Sequence, residues 1–220
     1  MKIAPIAQLA FIGIAATAVY TFVTVARHAE ARRACVPLCA MHPAYAAMAR
    51  TAPDFELRDM RGVPVKLSSF RGKTVVLNFW TRTCRPCLEE MPSLSDLAKV
   101  LATRKDVVML TVTTEAGPDA VRDTLKSILQ TDAPPFAVLF DGESKVVGDA
   151  YGTHLFPETW IIDPQGVIRA RFDGARDWST SLVLDLIDTI TRPTTCPIEF
   201  KAGVMSGVGT SLCDDIGSEG

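Results

Sequence analysis

The chain has 220 residues, 48% of them apolar and 22% charged, with a formal net charge of -2. That length fits one ordinary domain plus appendages, and the apolar share is enough for a packed core. Near-neutrality without a basic run argues against a nucleic-acid partner.

From Ile3 to Ala26 no residue is charged: "IAPIAQLAFIGIAATAVYTFVTVA". A helix of that length spans roughly 36 Å, enough to cross a bilayer core. A cleaved signal peptide has a shorter apolar region, about 7–15 residues. Residues 1–26 are therefore expected to be an uncleaved anchor; the alternative is cleavage after "AEA", which ends at Ala31. Arg32 and Arg33 stand where a lipobox before Cys35 would need small residues. Lys2 on one side of the span, against Arg27, Arg32 and Arg33 on the other, favours a cytoplasmic C-terminal part. Six cysteines favour an oxidising compartment instead. The cysteines decide the expectation: membrane-anchored, with the globular part periplasmic or otherwise extracytoplasmic.

Residues 27–51 read as a polar, alanine-rich linker carrying Cys35 and Cys39. The pattern is globular from 52 to 192. "DFELRD" and "VPVKLSS", split by a turn at Arg61-Gly62, predict a hairpin. "TVVLNFW" predicts a strand buried on both faces. Leu88, Met91, Leu94, Leu97 or Ala98, and Leu101 then recur at helical spacing. "VVMLTV" predicts a second buried strand, and "PDAVRDTLKSILQ" a helix opened by Pro118. "FAVLF", "ETWIID" and "VIRARF" complete the strands, the last two joined by a Pro164-Gln165-Gly166 turn. A final helix is expected from about Trp178 to Ile190. Parallel crossovers followed by a late hairpin give an α/β fold: a mixed sheet flanked by helices on both faces. Residues 193–220 read as a Gly/Ser-rich tail carrying Cys196 and Cys213.

The chemistry concentrates in "FWTRTCRPCLEEMP". A strand feeding straight into Cys-x-x-Cys at a helix start puts Cys84 at the helix N-terminus. Unsatisfied backbone N–H groups and the helix dipole there favour a thiolate, the species that attacks disulfides. Cys87, one turn inward, is placed to resolve the mixed disulfide. Arg85 adds positive charge near Cys84, and Pro86 restricts the turn. The alternatives are half of a four-cysteine zinc site with Cys35 and Cys39, or a purely structural bridge.

The remaining cysteines point first to disulfides. Cys35 and Cys39 would pair with each other or with Cys196 and Cys213, and all three pairings stay open. A second relay pair, or soft-metal binding by Cys35, Cys39, Met41 and His42, are the other readings. A c-type haem needs histidine right after the second cysteine; Ala40 and Leu88 exclude it. His28 and His154 read as surface or loop residues.

The blocks "APDFELRD", "VVLNFWTRTCRPCLEEMPSL", "LFPETWIID" and "GVIRARFDGARDW", in that order, carry a resemblance. From about Ala52 to Ile190 the chain resembles the TlpA/ResA-like membrane-anchored thiol–disulfide oxidoreductases of the thioredoxin superfamily. The resemblance implies a thioredoxin-like sheet, no cofactor, Cys84 as attacking thiolate and Cys87 as resolving thiol. It implies that Glu90 occupies an acidic position that shuttles thiol protons. The plain alternative is that Glu89 and Glu90 are both exposed first-turn acids. It further implies that Pro157 is a cis-proline facing the site, where a trans loop proline is the alternative. Trp80 matches a family aromatic, or serves as a core tryptophan. Thr83 departs from the tryptophan usual before the first cysteine, which bears on partner choice and redox poise.

The implied function is dithiol–disulfide exchange with client protein thiols, as a reductant, for example of apocytochrome c, supplied by a membrane electron donor protein. A copper-chaperone branch uses Cys-x-x-x-Cys plus histidine at the active-site position, which this chain fills with Cys-x-x-Cys. Two other classes stand beside it. A peroxiredoxin-type peroxide reductase shares the "APDFEL" opening, but its Pro-x-x-x-Thr/Ser-x-x-Cys motif meets Leu77 where proline belongs and Thr81 at the next element. A non-catalytic assembly or metal-delivery module is the third.

Overall fold

In the computed structural model the described residues are 5–44, 50–131, 133–192, 196, 198–201, 204–207 and 209–214. The ends of the expected anchor and tail, and residues 45–49 of the expected linker, lie outside them.

Helix α1 runs from Pro5 to Met41. It is followed by β1 (Glu56–Asp59), β2 (Pro64–Lys66), β3 (Thr74–Trp80), α2 (Arg85–Leu101), β4 (Val107–Thr113) and α3 (Pro118–Leu129). Then come β5 (Ala137–Phe140), β6 (Glu158–Ile162), β7 (Ile168–Asp173) and α4 (Ser181–Thr191). A small hairpin of β8 (Glu199–Lys201) and β9 (Val204–Ser206) precedes α5 (Ser211–Asp214). The main sheet has seven strands in the order β2-β1-β5-β4-β3-β6-β7. β3, β4 and β5 are mutually parallel, as their crossover connections require, and the outer pairs are antiparallel.

β3 lies at the centre and all seven of its residues are buried, which is why it reads as an uninterrupted apolar run. Its alternate side chains face two cores. Val76 and Trp80 join a cluster with Met91, Leu94, Val121, Leu125, Leu186 and Ile187, from α2, α3 and α4. Val75, Leu77 and Phe79 face the other way, toward Phe55, Leu67, Val147, Tyr151 and Trp160. That second face is covered by the segment around Phe55, a 3-10 turn at Leu67–Phe70 and a π-helical segment at Lys145–Ala150. Neither helical segment has enough length to leave a periodic signal. The 3-10 turn replaces the end of the strand expected in "VPVKLSS", and α4 begins at Ser181 rather than Trp178.

The larger correction concerns the expected linker. Residues 27–41 continue α1 without a break. Four of the thirteen residues 29–41 are alanine, a strong helix former. The second half of the stretch also has a face to bury. Cys35, Leu38 and Cys39 enter the core shared with α2 and α4, where α1 packs against α4 and α5. The helix stops at His42, whose left-handed backbone (φ 45°) and N–H bond to the Leu38 carbonyl close the last turn, with Pro43 next.

The tail is likewise tied down. Disulfides join Cys35 to Cys196 and Cys39 to Cys213, linking α1 to the C-terminal segment across 161 and 174 residues. This selects one of the pairings left open by sequence. In this structure Cys35 and Cys39 are each bonded to a C-terminal sulfur, and not to each other, to Cys84 or to Cys87. Cross-links closing such long loops restrict the unfolded chain strongly. Replacing Cys35 and Cys196 together by serine is expected to lower the unfolding free energy by about 2–4 kcal/mol. Guanidinium unfolding of the detergent-solubilised chain measures it, and a change below about 0.5 kcal/mol would contradict a stabilising role.

Candidate active site

The site forms where β3 ends and α2 begins. Cys84 is the N-cap of α2, with extended backbone (φ -85°, ψ 100°), and its Sγ accepts the Cys87 N–H at 3.2 Å. Serine, threonine and aspartate oxygens usually occupy this capping position. Here a sulfur does, so the orphan N–H groups of the first turn point at it. Pro86, in the first turn, costs no hydrogen bond that the helix would otherwise make. Cys84 and Cys87 are joined in a disulfide with Cα atoms 5.3 Å apart; Cys84 is half-buried and Cys87 fully buried. The loop before Cys84 is pinned by Glu115, which accepts from the Thr81 hydroxyl and the Arg82 N–H, both at 3.1 Å.

Arg85 does not direct its charge at Cys84. Its Nε pairs with Glu89 at 2.8 Å, and both side chains are exposed. The neutralised, solvent-screened pair adds little to the helix dipole at the sulfur, a correction to the expectation from sequence. Thr83 is exposed.

Glu90 and Glu89 divide sharply. Glu89 faces solvent, whereas Glu90 is 3% exposed. Glu90 Oε1 accepts from Asn78 Nδ2 at 2.9 Å; Oε2 accepts from Trp178 Nε1 at 2.9 Å and from the Arg176 N–H at 3.3 Å. Burial pushes the carboxyl above its ordinary value of 4.5, against the pull of those three donors and of the Arg176 charge. Asn78 also donates to Thr159 Oγ1 at 2.9 Å, and its buried Oδ1 has no partner. A half-turn of that amide would present Oδ1 to a protonated carboxyl, so one side chain can serve both charge states of Glu90.

The loop after β7 supplies the rest of this network. Pro92 interrupts the ladder of α2 one turn past Cys87. Next to it, Ser93 Oγ donates to the Glu90 carbonyl at 2.8 Å and accepts the Trp178 N–H at 3.1 Å. A cleft of about 470 Å³ between α2 and this loop is lined by Glu90, Ser93, Asp96, Arg176 and Asp177. It is the side from which solvent approaches the carboxyl.

Pro157 follows a cis peptide bond. The antiparallel register pairs Phe79 with Glu158, which sets Pro157 beside Trp80 at the same end of the sheet as Cys84. The Gly174 N–H donates to the Pro157 carbonyl at 2.9 Å, and Gly174 takes a left-handed conformation (φ 77°) that suits glycine. Trp80 is fully buried in the core rather than displayed at the site. Pro157 itself is buried, and Leu155, two residues before it, is 84% exposed.

Sequence reasoning missed three participants. Trp178 and Asn78 are distant in the chain from Glu90, and only the fold brings them together. Glu158 is a second buried carboxyl, next to Pro157 on the opposite sheet face. It accepts from the Thr153 hydroxyl at 2.7 Å, and burial raises its pKa. Its position directly after Pro157 was the available signal.

Glu90 binds its proton more tightly in the folded chain than in the unfolded one. Stability therefore falls as pH rises above 4.5 and levels off past the folded-state value. Glu90→Gln has no such titration, so its stability relative to the parent chain should improve with rising pH through that window. Denaturant midpoints from about pH 4 to about pH 8 measure this, and a constant difference would contradict the buried-carboxyl assignment.

The sequence profile of the AhpC/TSA family matches residues 48–171, more than half of the chain. The thioredoxin-like protein YneN of Bacillus subtilis is 33% identical over 118 residues, covering 54% of this chain and 66% of YneN. The thiol-disulfide oxidoreductase ResA of Geobacillus kaustophilus is 31% identical over 128 residues, covering 58% of this chain and 70% of ResA. The match thus spans about two thirds of these relatives' length. Among solved structures, the pneumococcal exposed lipoprotein thioredoxin Etrx1 of Streptococcus pneumoniae superposes with a TM-score of 0.53 at 27% identity. That match covers 62% of this chain and 98% of Etrx1. The chain belongs to the AhpC/TSA family and is a thiol–disulfide oxidoreductase of the ResA-like kind.

Proposed function

We propose that the protein is a membrane-anchored reductant of client protein disulfides, with Cys84 as attacking thiolate and Cys87 as resolving thiol. The observation that carries this reading is the Cys84–Cys87 disulfide at the N-cap of α2. In the reduced enzyme the Cys84 thiolate attacks one sulfur of a client disulfide. The client's other sulfur leaves, and a mixed disulfide forms. Cys87 then attacks Cys84, which releases the client as a dithiol and leaves the Cys84–Cys87 disulfide. Two electrons pass to the client. A buried thiol gives up its proton reluctantly, and Glu90, three residues along the same helix, is the base proposed to take it. A raised pKa suits a carboxylate to that role. Leu155, exposed two residues before the buried Pro157, is the surface proposed to meet the client.

Support for the reductant direction comes from how little stabilises the reduced form. Strong oxidants of this fold owe their potential to a stabilised thiolate. Here the charge of Arg85 is engaged by Glu89, and the Glu90 carboxylate lies further along the same helix. That leaves the helix N-terminus as the main stabiliser of the Cys84 thiolate and supports the reductant side. The resemblance to TlpA/ResA-like proteins makes apocytochrome c cysteines the first clients to test, with a membrane dithiol protein as electron donor. The apolar part of α1 is long enough to cross a bilayer, and stable structural disulfides suit an extracytoplasmic location.

The AhpC/TSA match gives the peroxide-reductase reading a claim of its own. The local geometry speaks against it. Leu77 is buried in mid-strand, paired with Leu110 and Trp160, and the Thr81 hydroxyl is engaged by Glu115 rather than by Cys84. Insulin reduction driven by dithiothreitol is expected to fall at least about 100-fold in Cys84→Ser, whereas Cys87→Ser should accumulate mixed disulfides. Peroxide consumption should stay at background in the parent chain. Unchanged insulin reduction in Cys84→Ser, or rapid peroxide turnover, would overturn the reading.

A further inference from the structure

The two structural disulfides and the unbroken course of α1 carry a consequence for the reach of the site. The apolar run ends at Ala26 and the first residue of α1 packed on the domain core is Ala31. Between them lie four exposed residues, about one helical turn. From there α1 is fixed to the domain. Cys35, Leu38 and Cys39 are buried in the core. Cys35–Cys196 and Cys39–Cys213 bracket Pro37, the residue whose missing N–H makes this the weakest turn of the helix. The far end is held as well: Arg176 donates to the Met41 carbonyl at 3.4 Å, and the Ala44 N–H donates to the Arg171 carbonyl at 2.8 Å.

The same Arg176 joins that far end to the site, because its N–H donates to Glu90. The Cys84–Cys87 pair therefore lies toward the end of α1 that is away from the apolar run. Residues 27–41 rise about 22 Å at 1.5 Å per residue. We propose that α1 is a rigid mount that holds the Cys84–Cys87 pair at a fixed stand-off of about 20 Å above the membrane edge. Its partners are then proteins that present their reactive cysteines in that layer, on an extramembrane domain, and not at the lipid surface. The inference rests on the exchange reading and on α1 spanning the bilayer. A flexible tether would let the site sample every height; a stapled helix does not.

The test uses full-length Cys87→Ser chain in phosphatidylcholine vesicles. Its lone Cys84 thiol forms a mixed disulfide with a peptide disulfide and stops there. The thiolate displaces one peptide sulfur as a thiol, and no outside reductant is needed. The peptide is anchored to lipid through polyproline spacers of about 2, 7 and 20 residues, at about 3.1 Å per residue. Adduct formation is expected to be at least about tenfold faster on the middle spacer than on the shortest, because a spacer that cannot span the gap gives almost no effective concentration. Inserting a flexible Gly-Ser segment of about twelve residues between Arg27 and His28, below the staples, should flatten that preference to within about twofold. A parent chain that reacts equally at all heights, or an insertion that leaves the preference intact, overturns the mount. Adduct formation with the same peptide free in solution should be equal in both chains. Its loss in both would instead overturn the exchange reading.

Discussion

A sulfur in the capping position of a helix is the constraint on which the rest of the structure depends. β3 must end in the sheet centre, and α2 must begin within a few residues of it, for the first-turn N–H groups to converge on Cys84. The buried strand, the Glu115 clamp on residues 81 and 82 and the early Pro86 all enforce that junction. A carboxylate or hydroxyl at position 84 would cap the helix as well or better. A thiol accepts a poorer hydrogen bond there and in return gains a polarised, half-exposed sulfur whose partner is one turn away.

The second layer of the site is a buried carboxyl whose network draws on three parts of the chain, its own helix included. Asn78 comes from β3, Trp178 and Arg176 from the loop after β7, and Glu90 itself from α2. Taking a carboxylate out of water is costly unless its oxygens are satisfied, and here both are. The balance leaves the proton affinity raised but the geometry fixed. The unpaired Asn78 Oδ1 is the counterpart of this arrangement: a half-turn of the amide would let it accept from a protonated Glu90. The same loop also reaches the end of α1 through Arg176. The proton site and the mount thus share one short segment.

Much of this was legible in the residues. The central strands are uninterrupted apolar runs, α2 and α3 show helical spacing, and Cys-x-x-Cys after a strand marks the site without help from structure. Glu90 was legible as a position, but its burial was not, since Glu89 and Glu90 are equivalent in any count of first-turn acids; only the packing of α2 on β3 separates them. The stretch from Arg27 to Met41 was misjudged for a related reason. Its charged residues suggested solvent, and the face of Cys35, Leu38 and Cys39 had no visible partner until α4 and the C-terminal segment folded against it. Disulfide pairing across more than 160 residues is a tertiary fact that spacing does not encode.

The most direct test of the central claim is the equilibrium of Cys84 and Cys87 with glutathione redox buffers, read by thiol alkylation and mass. A single reversible two-electron step confined to these two sulfurs, more reducing than about -200 mV, is the predicted result. A pair that stays oxidised even in excess dithiothreitol, or that titrates above about -180 mV as an oxidant's would, would contradict it.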